Sequence, residues 1–122
     1  MLKPTNTNYL FKFSIVTAVY NVAPYLSEAI DSILSQDIGF IESIERILVD
    51  DGSTDASGAI CDEYQHKYPE NIVVIHKPNG GVASARNAGI AVARGRYVNF
   101  MDSDDKLTPD TLSSVYDFFI EH

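Results

Sequence analysis

The sequence predicts an α/β fold in which a mostly parallel sheet is flanked by helices. Two observations carry that prediction. Four short apolar runs, at 13–19, 45–49, 72–75 and 97–101, are near-continuous rather than alternating, as strands buried on both faces are. Stretches of helical character separate and follow them, and strands alternating with helices build parallel sheets.

The first run, Phe13-Ser14-Ile15-Val16-Thr17-Ala18-Val19, is rich in β-branched residues and ends at Tyr20-Asn21. From Pro24 the period changes: Leu26, Ala29, Ile30, Ile33 and Leu34 share a helix face, with Pro24 in the first turn. Residues 36–40 hold the stop, with Gly39 as the breaker. The second strand, Glu45-Arg46-Ile47-Leu48-Val49, runs into Asp50-Asp51-Gly52-Ser53-Thr54-Asp55. A helix over 55–68 follows, with Ser53 or Thr54 as its N-cap and Pro69 and Asn71 as its end. Ile72-Val73-Val74-Ile75 is the third strand. After Pro78-Asn79-Gly80-Gly81 comes a small-residue helix in which Val82, Ala85, Gly89 and Val92 share a face. Gly95 breaks it before the fourth strand, Tyr97–Met101. Thr108-Pro109 then reads as a cap and first turn for a last helix with Leu112, Val115, Tyr116 and Phe119 on one side.

At 122 residues the chain suits one small domain. Its 17 acidic and 9 basic side chains give a formal charge of −8, which argues against a nucleic-acid partner. The single cysteine, Cys61, has no intrachain partner, so a reducing compartment, the cytoplasm, is expected. It reads as a small buried filler, with no cation beside it to activate the thiol. No apolar run nears the roughly 20 residues that span a bilayer. His66, His76 and His122 have no partners at metal-ligand spacing and receive no role.

The unusual residues all follow strands, so they gather along the carboxyl edge of the sheet, where such folds bind ligands. Asp102-Ser103-Asp104-Asp105 crowds three carboxylates into four positions, an oxygen donor set suited to a hard divalent cation, Mn or Mg. Asp105 alone is equally explained as a helix N-terminal charge. Asp50 and Asp51 offer acceptors for a base N–H or support for a metal, and strand alternation does not decide between them. Tyr20 offers a ring face for stacking. Arg86 is a lone cation in a small-residue face, able to pair with a phosphate or with one of the Asp clusters. A phosphoacceptor receiver domain is disfavoured, because its acidic pair belongs after the first strand.

Together, Ser14–Asn21, Leu48–Asp55, Asn79–Ile90 and Gly95–Asp105 resemble the catalytic domain of glycosyltransferase family 2, of the GT-A (nucleotide-diphospho-sugar transferase) fold. The likeness covers roughly residues 13–118. It implies a metal-assisted, inverting transfer of a sugar from a nucleotide-sugar donor, UDP-linked, to a hydroxyl acceptor in polysaccharide or glycan biosynthesis. Thr17, Val19 and Tyr20 would line the base, and Asp50 or Asp51 would accept its N–H. Arg86 would lie near the base or phosphates, with Ser103 also at the donor. Asp102 would meet the ribose or the metal. Asp104 closes the D-x-D motif and would ligate Mn or Mg on the diphosphate.

Catalytic domains of the family are longer than this chain. The resemblance therefore implies a truncated GT-A fold: residues 1–12 as an N-terminal extension and 13–122 as the nucleotide-sugar-binding half. No residue here fits the general base, which is expected beyond this half, along with the site for a sugar or lipid-linked acceptor. The alternative is a non-catalytic nucleotide-sugar-binding fragment. A membrane is expected only through other regions of a longer protein, at its cytoplasmic face. A truncated sheet with an exposed apolar edge predicts self-association.

Overall fold

The computed structural model describes residues 10–121; residues 1–9, most of the expected extension, and His122 lie outside the described residues. Four strands, β1 (Phe11–Val19), β2 (Ile44–Asp51), β3 (Ile72–Lys77) and β4 (Gly95–Phe100), form one parallel sheet in the order β3-β2-β1-β4. The strand β1 starts at Phe11, inside the segment expected to precede the domain. Every residue of the inner strand β2 is buried, the apolar Ile47, Leu48 and Val49 and also the charged Glu45, Arg46, Asp50 and Asp51.

The helices α1 (Ala23–Leu34) and α3 (Ser57–Lys67) cover one face of the sheet. There Leu26, Ala29, Ile30, Ile33 and Cys61 pack with Phe13, Ile15, Val19 and Leu48. The helix α4 (Val82–Val92) covers the other face, where Ala85 packs with Val16, Ile47 and Val49. Right-handed crossovers explain the split. The chain steps from β1 to β2 to β3 in one direction, then returns past both to β4, so the returning helix must cross the opposite face. Gly89 lets α4 sit this close: a Cβ there would collide with Val16 on β1. The last helix, α5 (Thr111–Glu121), adds Leu112 to the α1 side. Beside the edge strand β4, Phe100, Phe118, Phe119 and Ile120 are exposed, the apolar edge expected from the sequence.

Several boundaries differ from the sequence reading. A short helix α2 (Phe40–Ser43) occupies what was read as a stop. Its carbonyls and those next to it are satisfied by buried Asn71, whose Nδ2 donates to Phe40, Ile41 and Ile44. Gly95 opens β4 rather than merely ending α4. A Cβ on it would stand 2.5 Å from the Ser14 amide nitrogen, so only glycine fits beside β1 here. Neither Ser53 nor Thr54 caps α3, whose N-cap is Ala56. The helix α5 opens at Thr111, and Thr108-Pro109 lies in the loop before it. Asp105 is six residues short of that helix and takes no part in its first turn.

Candidate functional site

The carboxyl ends of β1, β2 and β4 open onto a cleft of about 290 Å³, lined by Ala18, Tyr20, Val22, Asp51, Val82, Arg86, Met101, Asp102, Ser103 and Asp104. It lies where the strand order reverses, between β1 and β4. There the loops leaving the two strands diverge and leave a crevice. Its volume is near the lower end for small-molecule sites. Tyr20, Asp51, Arg86, Asp102, Ser103 and Asp104, all singled out in the sequence, meet here.

Tyr20 is held by a loop fastened across the sheet edge. Asn21 adopts a left-handed backbone (φ 52°), a conformation that Asn tolerates better than most residues. Its Oδ1 accepts from the amides of Thr54 (2.8 Å) and Asp55 (3.3 Å), while its own amide donates to Ser53 Oγ (3.1 Å). The Val22 amide donates to Ser57 Oγ, and the Ala23 amide at the start of α1 donates to Asp55 Oδ2. The polar run 53–57 thus staples the β1–α1 loop instead of capping its own helix with Ser53 or Thr54. Ser57 and Asp55 also bond to each other, and the Ser57 bonds hold the Asp55 carboxyl below its usual range.

Asp50 and Asp51 point to opposite faces. Asp51 faces the cleft and α4. Its Oδ1 accepts from Lys77 Nζ (2.8 Å) and the Gly80 amide (3.0 Å), and its Oδ2 accepts from the Gly81 amide (2.9 Å). Lys77 foremost, with the two amides, outweighs burial and holds this carboxyl below the usual range. Gly52 (φ 79°) makes the turn that lets loop 78–81 close on Asp51; a Cβ on it would meet the Asn79 amide nitrogen at 2.8 Å.

Asp50 faces α3, away from the cleft. Its Oδ1 accepts from the Ser53 amide (3.0 Å), and its Oδ2 lies 2.8 Å from His76 Nδ1. Burial alone would raise this carboxyl, but the bonds from Ser53 and His76 bring it below its ordinary value. The other His76 nitrogen is 2.8 Å from Asp62 Oδ1, and the two carboxylates, Asp62 first, raise the imidazole pKa.

The acidic loop forms the outer wall. Carboxylate oxygens of Asp102, Asp104 and Asp105 converge within 4.8 Å of one another, all exposed. Three hard oxygen donors at that spacing fit a divalent cation, and the loop adds no competing nitrogen or sulfur ligand. Arg86 Nη2 stands 4.0 Å from Asp102 Oδ1, and its guanidinium lies over the Phe100 ring at 5.2 Å. The loop is tied back to α1: the Leu107 amide donates to Ser32 Oγ, and buried Gln36 bonds to Thr108 O and the Leu112 amide.

Two expectations fail on position. Thr17 and Val19 are fully buried in β1 and point to the α1 face, so neither reaches the cleft. Side chains alternate along a strand, and the cleft takes Ala18 and Tyr20 instead. His76 and Lys77 were missed, because pairing across parallel strands has no signature in local spacing. Their register does pair them with Asp50 and Asp51. Cys61 is the buried filler expected, its thiol pushed up to about 12, chiefly by burial.

The model of Glycosyl transferase family 2 matches residues 14–122. A relative in Bacillus subtilis (strain 168), the minor teichoic acid biosynthesis protein GgaB, is 51% identical over 115 residues, covering 94% of this chain and 13% of GgaB. The crystal structure of S. aureus TarS 1-349 in complex with UDP-GlcNAc superposes with a TM-score of 0.83 at 36% identity, covering 92% of this chain and 32% of that one. The mannosyltransferase PcManGT from Pyrobaculum calidifontis, in complex with GDP-Man and Mn2+, superposes with a TM-score of 0.78 at 26% identity, covering 93% and 35%. The chain therefore spans about a third or less of each of these proteins. Among the described residues no helix is long and apolar enough to cross a membrane.

Proposed function

The chain belongs to glycosyl transferase family 2, and from that premise we propose that it is the donor-binding half of a glycosyltransferase moving a sugar from a nucleoside diphosphate to a hydroxyl acceptor. The observation that carries this reading is the single cleft shared by a ring, a carboxylate, a cation and a D-x-D loop. Tyr20, half-exposed at the cleft wall, offers its face to the base. Asp51 accepts the base N–H. A carboxylate has about four lone-pair positions; Lys77, Gly80 and Gly81 occupy three, and the one left is on Oδ2. Asp50, turned to α3, holds the Ser53 turn and does not touch the base. Arg86 pairs with the diphosphate, its flat side resting on Phe100.

Asp102 and Asp104, with Asp105 in reach, hold Mn or Mg. The ion, when bound, neutralises charge on the departing nucleoside diphosphate. UDP is the nucleotide we assign, supported by the UDP-GlcNAc complex of the TarS relative; the GDP-Man complex of PcManGT makes GDP the competing arm.

Inverting transfer needs a base to take the acceptor's hydroxyl proton. Asp51 is a poor one, because Lys77 and two amides hold it ionised below the usual carboxylate range. We assign the base and the sugar or lipid-linked acceptor to the part of the enzyme beyond this half. The teichoic acid role in the GgaB name supports a surface polymer as the product. We assign the enzyme to the cytoplasmic face of the membrane, where a lone reduced cysteine is at home. Calorimetry with UDP and Mn, against GDP and Mn, tests the reading: UDP binds with metal and GDP binds more weakly. A folded sample that binds neither nucleotide overturns it.

A further inference from the structure

His76 makes no contact with the cleft, yet both its nitrogens are engaged and its partners lead to the cleft wall. Asp62 on α3 stands 2.8 Å from Nε2, and Asp50 on β2 stands 2.8 Å from Nδ1. Asp50 Oδ1 takes the Ser53 amide, Ser53 Oγ takes the Asn21 amide, and Asn21 is the neighbour of Tyr20. There is no slack at the middle of the chain: a Cβ on Gly58 would lie 2.7 Å from Asp50 Oδ2. We propose that His76 is a positioning residue for the donor site, acting through Asp50, Ser53 and Asn21 to set the Tyr20 wall. This rests on the donor-site reading above.

Two carboxylates on one ring require both nitrogens to donate, so the relay is complete only with the imidazolium. Three of the other titratable groups nearby do not compete. Cys61 on α3 has a thiol pushed up to about 12 and stays neutral. Arg46 on β2, lowered to about 10 by burial, stays a cation. On the far face of the sheet Lys77 is paired with Asp51. His66 follows Asp62 by one turn of α3.

When the proton leaves to solvent, the exposed Asp62 is the partner released, since it can turn to water while buried Asp50 cannot. The bond to Asp50 then keeps its ionised acceptor but loses the attraction of the imidazolium charge, so it weakens without breaking. Donor affinity is expected to fall about fivefold through this titration, the scale of one weakened hydrogen bond.

The test is UDP affinity with Mg from pH 6 to 9, beside the His76 ring titration and the Ser53 and Asn21 amide signals read by NMR. Wild-type affinity falls at the same midpoint as the ring. Asp62→Asn, a surface change that leaves the fold intact, moves both midpoints down together. His76→Ala binds about tenfold more weakly, with only the ligand's own pH dependence. The proposal is overturned if wild-type and His76→Ala have parallel profiles, or if Asp62→Asn shifts the ring titration without the affinity midpoint. A wild-type chain that binds no UDP at any pH refutes the donor-site reading instead. In that event Ser53 and Asn21 amides that titrate with the ring still sustain the relay, and amides that do not titrate refute it.

Discussion

Asp51 is both a cleft residue and the anchor of loop 78–81, so replacing it should be felt first in stability. Its carboxylate is almost fully buried and takes three donors: Lys77 Nζ at 2.8 Å and the Gly80 and Gly81 amides at 3.0 and 2.9 Å. Truncation to Ala leaves Lys77 without its counter-charge and both amides without an acceptor. Breaking a buried pair from one side costs about 3–5 kcal/mol. Lys77 keeps the Pro78 carbonyl at 2.8 Å and some contact with water. The expected loss is therefore at the lower end, about 3 kcal/mol. Asp51→Asn keeps an acceptor oxygen but not the charge, and should lose about 1.5–2 kcal/mol.

Urea unfolding followed by far-UV circular dichroism at pH 7 reads both losses, with the m-value unchanged. Because the native carboxyl is held below its ordinary value of 3.8, its contribution exists above that pH and disappears as pH falls through the lowered native value. Wild type and Asp51→Asn should therefore converge in stability on acidification. An Asp51→Ala chain within about 1 kcal/mol of wild type at unchanged m would refute the anchoring argument.

Asp104→Ala should remove metal-dependent UDP binding while leaving the unfolding midpoint unchanged, since the carboxylate is exposed; affinity that Mn still enhances would show the ligand assignment to be wrong. Asn21→Gly keeps the left-handed turn but loses the bonds to Thr54 and Asp55, so it should weaken UDP binding about tenfold. Asn21→Ala should do so and also destabilise the chain by a further 1 kcal/mol or so, through backbone strain alone. The stability profile should peak in mildly acidic to neutral conditions. Below it, Asp50, Asp51 and Asp55 lose contributions present only above about 3.8. Above it, the His76 contribution, complete below 6.5, is lost as pH rises through the raised native value. Urea midpoints from pH 3 to 9 test this, and stability still climbing beyond pH 8 would contradict it.

Much of the fold was legible locally. Near-continuous apolar runs identify buried parallel strands whatever their neighbours, and the 3.6-residue spacing of Leu26, Ala29, Ile30 and Ile33 identifies the face of α1. The D-x-D loop was legible for a similar reason. Three carboxylates in four positions are a costly arrangement that needs no tertiary information to notice, and they converge as a donor set.

What failed depended on contacts between distant segments. The run 53–57 carries the residue types of a helix cap, yet Ser53 and Ser57 serve the loop after β1, over thirty positions away. Helix α2 is too short for a periodic signal, and Asn71 secures its carbonyls from the far side of α3. Thr17 and Val19 are a different case: the resemblance places them near the base, but the strand's own two-residue period, a local property, turns both to the face opposite Tyr20.

The paired aspartates draw the division most sharply. The sequence by itself determined that Asp50 and Asp51, adjacent in a strand, must face opposite sides of the sheet. It could not say which side would hold the cleft. That was decided when the right-handed return from β3 to β4 carried α4, with Arg86, across one face and left α1 and α3 on the other. Asp51 then met Lys77, Gly80 and Gly81 at the cleft, and Asp50 met His76 and Ser53 beneath α3. Periodicity is a local property of the chain, whereas the face a crossover covers depends on strand order, which exists only in the folded sheet.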